Sequence, residues 1–564
     1  MKNKYGSSQF VLFLSMMVLG TTLLFAQRPP LNVPFYHQSN IYMERELSKQ
    51  NDTVWHTAVK PVLQSTRSYV PSDNEDAPEN TPYLKRKLLY EHLLHIGNGD
   101  EWSIQVDPLF DFGVGNERVG SRNTWLNTRG AQLQGNIGSK IAFYSSFYEN
   151  QAVMPHYIDQ FVNNNRMYHL NDSTPFMPGV GVMPGQGMAR VFKDGPGWDY
   201  ANATAYVSYS PSEYLNFQLG QDRQFIGHGY RSMLLSDATY PAPYFRMQAN
   251  LGRVQYTYLL MQHMDPGAEP IGLPNPVWDR GFRKKYATVG YLNWQVTNNF
   301  QIGAMQSVVF PGDNPAGGSI PPSMQYLNPL LFLHPTQYGS GSEGNLLLGL
   351  NTQWQFKKDY FAYGQFMLDE LNVQGLLAQN GNATNKYSGQ LGVKSLNFLG
   401  ISNLFVQAEY NFARPYAYSH RDRMTSYTHY LQPLAHPLGA NFHEFLLMAD
   451  YRFSGNYYFR VKLVAHRQGL DFTENDSTVV NVGSNLFADY RPDQNRTGLD
   501  IGWGEESTLI HGEISLGYLL NPKTNMKVEI SYMHRNQGPA SNRINTRWVM
   551  IGFRTALRNL YYDF

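Results

Sequence analysis

Two stretches of the sequence hold enough charged, amide and aromatic side chains to bind a ligand. The first, 221–240, contains six candidates: Asp222, Arg223, His228, Tyr230, Arg231 and Asp237. Arginine and aspartate can hydrogen-bond sugar hydroxyls or carboxylates, and a tyrosine ring can stack on a pyranose face. The same side chains could instead pair with one another and fix the loop in place, since buried polar groups need partners. This structural interpretation is the favoured one.

The second stretch, 414–441, interleaves aromatic rings with hydrogen-bonding groups. Its candidates are Tyr416, Tyr418, His420, Tyr427, His429 and Tyr430. Aromatics beside donors and acceptors suit carbohydrate, which has an apolar face and a hydroxyl rim. They equally suit a loop that packs on its own side chains. Histidines 420, 429, 436 and 443 match no compact ligand motif, so no metal site is predicted.

Patterns typical of enzymes are missing from the sequence. It has no G-x-S-x-G turn, and Leu447 stands where an H-E-x-x-H zinc motif beginning at His443 needs its second histidine. Cysteine is absent, which excludes disulfides, thiolate metal sites and a cysteine nucleophile. We therefore predict a protein that is not an enzyme and that needs no cofactor.

The composition points away from an ordinary soluble protein. Charged residues make up 16% of the chain, aromatic residues 14%, and the mean hydropathy is −0.42. Soluble proteins carry about 25% charged residues. The combination is typical of a large β-protein whose strands are apolar on one face only. With a net charge of +1 there is no basic field to attract phosphates, so nucleic acid is excluded as a partner.

The beginning of the sequence predicts export. Residues 1–26 have the basic start and apolar core of a secretory signal peptide. Residues 27–100 then form a periplasmic helical and linker segment, with helical spacing over 41–49 and 83–95 and a polar linker over 71–81. This segment could plug a barrel from below. The basic residues 85–87 could touch lipid head groups, although a solvated helix face is the favoured interpretation.

From residue 101 to 564 the pattern changes to the alternation typical of strands, with about eighteen candidates. They cover 101–115, 124–136, 140–150, 199–208, 214–220, 243–250, 254–263, 286–296, 300–310, 345–356, 360–369, 386–395, 401–411, 442–453, 457–467, 507–520, 524–535 and 544–557. Tight turns alternate with mostly long connections such as 151–198 and 412–441, which is the signature of an outer-membrane barrel. The fold class is therefore all-β, a transmembrane antiparallel β-barrel. Alternating Leu560, Tyr562 and Phe564 look like the end of an amphipathic strand.

A family resemblance rests on long motifs. Residues 218–247, QLGQDRQFIGHGYRSMLLSDATYPAPYFRM, resemble the Wzi-like capsule-assembly family of outer-membrane barrels. Further segments resemble its Bacteroidetes gliding-motility RemB-like branch. They are 127–130, 140–150, 182–187, 364–370, 409–420, 427–444 and 553–564. The resemblance implies an 18-stranded barrel that holds capsular polysaccharide at the cell surface, or, in the RemB-like branch, a barrel linked to surface motility.

The expected function is that of a binding protein in the cell outer membrane, with surface-exposed loops. It would bind or organise surface polysaccharide and support capsule assembly, gliding motility or both. The expected partners are surface polysaccharide, outer-membrane lipid and a gliding or secretion machinery. Two alternatives stay open: an accessory interaction protein of a gliding or secretion apparatus, and a transport porin, since such a barrel is wide enough for a channel.

Overall fold

The computed structural model describes residues 29–564 with internal gaps. The gaps are 50–54, 65–76, 99–100, 165, 169–174, 179–180, 188, 193–195, 269–281, 314–319, 321, 331–343, 475–477, 494 and 556–558. The proposed signal peptide, 1–26, and most of the predicted linker, 71–81, lie outside the described residues.

Within the described residues, 18 antiparallel strands close into a ring. In chain order, β1 to β18 are Trp102–Glu117, Arg122–Ile137, Ile141–Val153, Gly197–Ser212, Leu215–Asp222, Ala242–Leu251, Val254–Asp265, Arg283–Thr297, Phe300–Pro311, Asn345–Lys357, Tyr360–Glu370, Lys386–Ser395, Leu404–Ala413, Phe442–Phe453, Tyr457–Leu470, Glu505–Asn521, Met526–Pro539 and Ile544–Arg554. Each strand pairs with its neighbours in sequence, and β18 pairs with β1. The predicted all-β barrel is confirmed.

The strands face apolar side chains outward and polar side chains inward. On β10, Leu350 and Trp354 are 48% and 50% exposed, whereas Asn351 and Gln353 between them are buried. Because successive side chains of a strand point to opposite faces, one strand supplies both surfaces. An apolar outer wall around a polar interior is the arrangement of a barrel that stands in lipid. This arrangement also explains the low charge and the negative mean hydropathy together.

Short turns and long connections lie at opposite ends of the barrel. The tight turns join β2 to β3, β4 to β5 and so on in alternate pairs, as the sequence predicts. Gly138 and Gly252 hold positive φ of 58° and 65° in two of these turns, a conformation that glycine adopts without a steric penalty. We call the opposite end, where β3 leads to β4 and β13 to β14, the long-loop end.

The barrel closes differently from the sequence prediction. β18 ends at Arg554, which is paired with Asp111, whereas the sequence predicts a strand that extends to 557; residues 556–558 lie outside the described residues. Nearer its start, β1 pairs with a different segment: the short strand Leu94–Asn98 pairs with Trp102–Val106. The predicted helix over 83–95 is therefore wrong in its second half, because residues from 94 onward belong to the wall. The observed helix ends at Leu89.

The described helices are short. They are His37–Ser48, Tyr83–Leu89, His156–Asn164, Met324–Leu327 and Val373–Leu377, which we name α1 to α5, with 3₁₀ turns at Phe398–Gly400 and Arg491–Asp493. Among the described residues, no helix has the length and apolar character needed to cross a membrane. Further short strands are Val59–Lys60, Arg166–Tyr168, Pro175–Pro178, Ala189–Phe192, Phe225–Ile226, Thr428–His429, Gln432–Pro433, Phe472–Glu474 and Thr478–Val480.

Four described pieces of chain pack inside the ring. They are the described residues of 29–64 (the N-terminal segment), the connection 223–241 after β5 (the first inward loop), the connection 414–441 after β13 (the second inward loop), and 559–564 (the tail). The tail corrects a second prediction: Leu560, Tyr562 and Phe564 do not lie on a strand. Tyr561 is 1% exposed and Phe564 8%, so the tail is buried after β18 ends.

The N-terminal segment is bound to the wall from inside. Glu44 of α1 forms an ion pair with Lys394 of β12 at 2.7 Å, and both side chains are nearly inaccessible. Asn32 accepts a hydrogen bond from Arg246 of β6 at 3.0 Å. Val59–Lys60 pairs with Phe225–Ile226 of the first inward loop. The segment and this loop therefore form one packed body.

Candidate functional site

The first predicted stretch lies almost entirely inside the barrel. Asp222 is the last residue of β5, and its carboxylate accepts the Arg223 main-chain N–H at 2.8 Å. Arg223 then donates to the Asp237 carbonyl oxygen at 3.0 Å, which closes the first inward loop on itself. Arg223, Arg231 and Asp237 are 4%, 1% and 1% exposed. These side chains point to internal partners.

Arg231 stands at the centre of a buried ion network. Its Nη2 lies 3.2 Å from Glu444 Oε1 of β14 and 3.4 Å from Asp563 Oδ1 of the tail. Asp563 also lies 3.2 Å from the Lys462 ammonium of β15. The two nearby cations keep the pKa of Asp563 far below its usual value although burial opposes this. Removing one member of such a buried pair would leave the charge of its partner uncompensated.

Tyr230 and Asp237 bind the tail as well. The Tyr230 hydroxyl donates to Asp563 Oδ2 at 3.0 Å. The Asp237 carboxylate accepts from the Tyr561 hydroxyl at 2.5 Å and from Asn559 Nδ2 at 2.9 Å. The first inward loop is thus fixed by residues more than three hundred positions later in the chain.

The second predicted stretch packs against the first. The hydroxyls of Tyr418 and Tyr427 donate to the main-chain oxygens of Met233 and Leu234, each at 2.8 Å. Both tyrosines are fully buried. The sequence predicts two separate candidate regions, whereas the structure brings them into contact.

The remaining candidates of the second stretch also have internal contacts. The Tyr416 hydroxyl donates to the Asn481 carbonyl oxygen at 2.7 Å. The Tyr430 ring lies 5.1 Å from that of Tyr240. His429 Nδ1 accepts the Met264 N–H at 3.1 Å, and His420 Nδ1 lies 2.6 Å from Thr425 Oγ1. The sugar-binding role of both stretches stays a prediction. In the structure these side chains contact other parts of the chain and stabilise the packing of the loops.

Three of these tyrosines hold an unusual backbone. Tyr416, Tyr418 and Tyr430 have positive φ angles of 64°, 67° and 54°. For a residue with a bulky side chain this left-handed conformation is costly, and it persists only where the surroundings fix it. The second inward loop is therefore held in shape by its packing.

Burial lowers the pKa of the histidines of the inward loops. It lowers the pKa of His429 to about 3, an effect strengthened by the nearby Lys285 ammonium. Burial likewise lowers the pKa of His228 well below its usual value, and Lys394 and Lys60 add to this. Within the part of the chain that the structure describes, neither ring nitrogen of His228 has a hydrogen-bond partner, and no group of three His, Asp or Glu side chains could hold a metal ion.

One cavity opens at the long-loop end, and we call it the mouth cavity. Its volume is about 320 Å³, within the range of about 300–1,000 Å³ typical of ligand pockets. It is bounded by α3, both inward loops, the ends of β15, β17 and β18, and the tail. Its lining residues are Tyr157, Gln160, Phe161, Asn164, Pro184, Ala238, Leu431, Gln432, Pro433, Pro437, Leu438, Gln468, Arg535, Gln537, Ile544 and Phe564.

Aromatic rings and side-chain amides make up half of the residues that line the cavity, and prolines and aliphatic side chains supply most of the rest. The Phe161 and Phe564 rings meet edge to face at 4.5 Å, and Tyr157 lies 5.9 Å from Phe564. Gln432 and Gln468 also line the cavity. Apolar ring faces beside neutral donors and acceptors are the chemistry that binds carbohydrate.

The sequence interpretation missed this cavity. None of the twelve predicted site residues lines it. Its walls come from segments spread between Tyr157 and Phe564. Ala238 and Leu431–Leu438 belong to the two predicted stretches, but no pattern in the sequence indicates that these segments meet. The helix α3 is amphipathic, with Tyr157 buried and Gln160 exposed. This pattern could have indicated that α3 packs against the barrel at one wall of the cavity.

Comparison with solved structures finds the same fold in Wzi of Escherichia coli. That protein is described as an outer-membrane protein involved in group 1 capsule assembly and as a carbohydrate-binding β-barrel. The TM-score is 0.51 at 12% sequence identity, and the alignment covers 94% of this chain and 100% of Wzi. At this identity the likeness establishes the fold. It agrees with the Wzi-like resemblance, whereas nothing in the comparisons supports the RemB-like branch or a Bacteroidetes origin.

More distant similarity extends to outer-membrane proteins of Pseudomonas aeruginosa. OprD aligns with a TM-score of 0.40 at 9% identity over 82% of this chain and 97% of its own. OpdK, solved with vanillate, aligns with a TM-score of 0.40 at 9% identity over 80% and 98%. No protein-family model matches the chain, and no curated protein matches it.

Proposed function

We propose that this chain is an outer-membrane barrel that binds surface polysaccharide at its long-loop end. The single observation that carries the proposal is the mouth cavity, where aromatic rings and amides converge at one end of a closed barrel. The fold shared with a carbohydrate-binding barrel supports it. The apolar outer wall supports a location in the outer membrane with lipid as its neighbour.

The inward loops serve this function indirectly in our proposal. The second loop supplies Leu431–Leu438 to the cavity, and the first supplies Ala238. Their buried tyrosines and ion pairs hold these lining residues in place. Binding by the predicted residues Tyr416 to Tyr430 would require the loop to open, so we assign them to positioning.

The filled lumen favours a binding protein over a transport porin. The N-terminal segment, two loops and the tail occupy the interior, and we propose that the N-terminal segment is a plug. An accessory role in a gliding or secretion apparatus is the remaining alternative. It would place the partner site in residues 27–100 and would make surface motility the primary phenotype.

The test compares cell-bound with released polysaccharide in a strain that lacks the chain, with spreading scored on the same plates. We expect polysaccharide to be shed into the medium, and complementation with the intact gene to restore retention. Normal retention with defective spreading would replace the proposal with the motility alternative. A direct assay adds the purified full chain in detergent to the host's own polysaccharide and measures binding.

A further inference from the structure

The helix α2 carries leucines and basic residues that the barrel leaves exposed. Each of its seven residues is at least partly accessible. Tyr83, Leu84 and Leu88 are 63%, 80% and 50% exposed, and Leu93, just after the helix, is 52% exposed. A helix that packed only against the barrel would turn its leucines toward the wall, so this exposed face needs another neighbour.

Hydrogen bonds hold α2 at the short-turn end of the barrel. The Asn521 side chain, at the end of β16, donates to the main-chain oxygens of Leu88 and Glu91 at 3.2 and 2.9 Å. The Asp107 carboxylate accepts the Leu93 N–H at 3.0 Å. The position of the exposed leucines relative to the wall is therefore set by the fold.

The short strand that follows α2 continues the outer wall. Val114 of β1 faces outward and is 61% exposed. Ile104 and Val106 lie on the same face, because they are an even number of residues away and β1 keeps its register with β2 throughout. Leu94 and Ile96 pair directly with Val106 and Ile104, so their side chains face outward as well. The apolar outer wall thus reaches the residues that adjoin α2.

This end of the wall is where lipid meets water. Trp102, at the start of β1, lies on the same outward face, and aromatic side chains flank the apolar band of outer-membrane barrels at both edges. Leu94 follows Leu89 by five positions, so the end of α2 lies at most about 18 Å from the wall strand. The helix is therefore within reach of the lipid head groups.

The charge of α2 suits phosphate head groups. Residues 85–87 are all basic. Glu91 pairs with Arg86 at 3.0 Å and with Lys87 at 2.7 Å. Among the described residues Lys85 forms no ion pair, and it is exposed beside Leu84. Exposed leucines together with an excess of basic side chains are the chemistry that binds an anionic membrane surface.

We propose that α2 anchors the short-turn end of the barrel to the membrane surface. Leu84 and Leu88 lie among the lipid chains, and Lys85 binds the phosphate groups of anionic lipid. The inference rests on the proposed location of the barrel in a membrane, and it goes beyond polysaccharide binding because it concerns the opposite end of the molecule. It replaces the solvated helix face that the sequence favours.

The experiment uses the full chain, which has no cysteine of its own, so that one introduced cysteine carries a fluorophore at a chosen position. Leu84→Cys is labelled, and the chain is inserted into vesicles whose acyl chains carry bromine, which quenches the fluorophore only at short range. Vesicles of phosphatidylcholine are compared with vesicles that also contain phosphatidylglycerol. We expect quenching at position 84 that is stronger with phosphatidylglycerol.

Matched positions and a charge variant locate the effect. Leu350→Cys, on the outer wall of β10, should be quenched in both kinds of vesicle. Lys358→Cys, exposed in the short turn between β10 and β11 at the same end of the barrel, should stay unquenched. Leu88→Cys gives a second position on α2 if the Leu84 variant folds poorly. Lys85→Gln, added to the labelled chain, should lower the ratio of inserted to released α2 about fivefold in vesicles with phosphatidylglycerol.

The outcomes separate the anchor from the membrane location. Quenching at position 350 without quenching at 84 and 88 overturns the anchor in favour of a protein partner, and leaves the barrel in the membrane. No quenching at position 350 overturns the membrane location and the anchor with it. Equal quenching at position 84 in both lipids, unchanged by Lys85→Gln, overturns the role of anionic lipid.

Discussion

The Arg231 guanidinium and the Asp563 carboxylate lie 3.4 Å apart, and both side chains are at most 1% exposed. This ion pair joins the first inward loop to the tail. Removing one partner leaves the other charge buried, so Arg231→Met should lower the free energy of unfolding by about 3–5 kcal/mol.

Chemical unfolding of the purified chain measures this loss. The matched control is Arg467→Met, since Arg467 pairs with Glu506 at a surface where both side chains are more than half exposed. That change should cost at most about 1 kcal/mol. The double variant Arg231→Met with Asp563→Asn should cost less than the sum of the two single changes. Strict additivity would mean that the two residues do not interact.

Acidification should loosen the inward loops. The pKa of His429 is about 3 in the folded chain and about 6.5 when unfolded, so the unfolded chain takes up its proton first as the pH falls. Stability is therefore fully present above about pH 6.5 and is lost progressively as the pH falls toward 3. At pH 4 the loss from this one residue should approach about 3 kcal/mol.

Thermal unfolding recorded between pH 7 and pH 4 tests this dependence. His429→Gln should flatten the curve, whereas His95→Gln, at an exposed position of the wall strand, should leave it unchanged. The same slope in all three chains would assign the pH dependence to other groups.

A charged side chain on the outer wall should destabilise the barrel. Leu350 is 48% exposed near the middle of β10, and arginine at a lipid-facing position near the bilayer centre costs about 2–4 kcal/mol. We expect Leu350→Arg to reduce the amount of folded barrel recovered from outer membranes. Gln374→Arg, on the exposed helix α5, is the control and should accumulate normally. Equal recovery of the two variants would speak against a lipid-facing wall.

The barrel should conduct ions poorly until the N-terminal segment is released. Glu44→Lys places two positive charges together where Glu44 and Lys394 now form an ion pair. Planar-bilayer recordings should show few openings for the wild type and frequent openings for this variant. Glu46→Lys alters only a surface pair with Lys49 and should resemble the wild type. A large, steady conductance of the wild-type chain would support the alternative that the protein is a transport porin.

The wall was predictable because each strand carries its own pattern. Leu350 and Trp354 face outward, Asn351 and Gln353 face the lumen, and that alternation can be read without knowing any neighbour. The interior was not predictable in this way. Tyr418 and Tyr427 contact Met233 and Leu234 across nearly two hundred residues, and no local pattern encodes such a pairing.

The tail and the mouth cavity show the same limit. Leu560, Tyr562 and Phe564 alternate as a strand would, yet the lower part of β1 is already paired with Leu94–Asn98. The tail therefore turns inward and offers Asp563 to Arg231. Arg535 belongs to an ordinary amphipathic strand, and no local pattern shows that Tyr157 of α3 and Phe564 lie against it.

One edge of β1 pairs with two separate segments of the chain. β18 pairs with Asp111–Glu117 of β1, and Leu94–Asn98 pairs with Trp102–Val106. The Asp107 carboxylate hydrogen-bonds His92 and the Leu93 N–H just before this short strand. Loss of Leu94–Asn98 would leave the main-chain groups of Trp102–Val106 without partners at an open edge of the barrel. Residues that precede β1 therefore complete the wall of the barrel. A protease that removed them would open the barrel between β1 and β18.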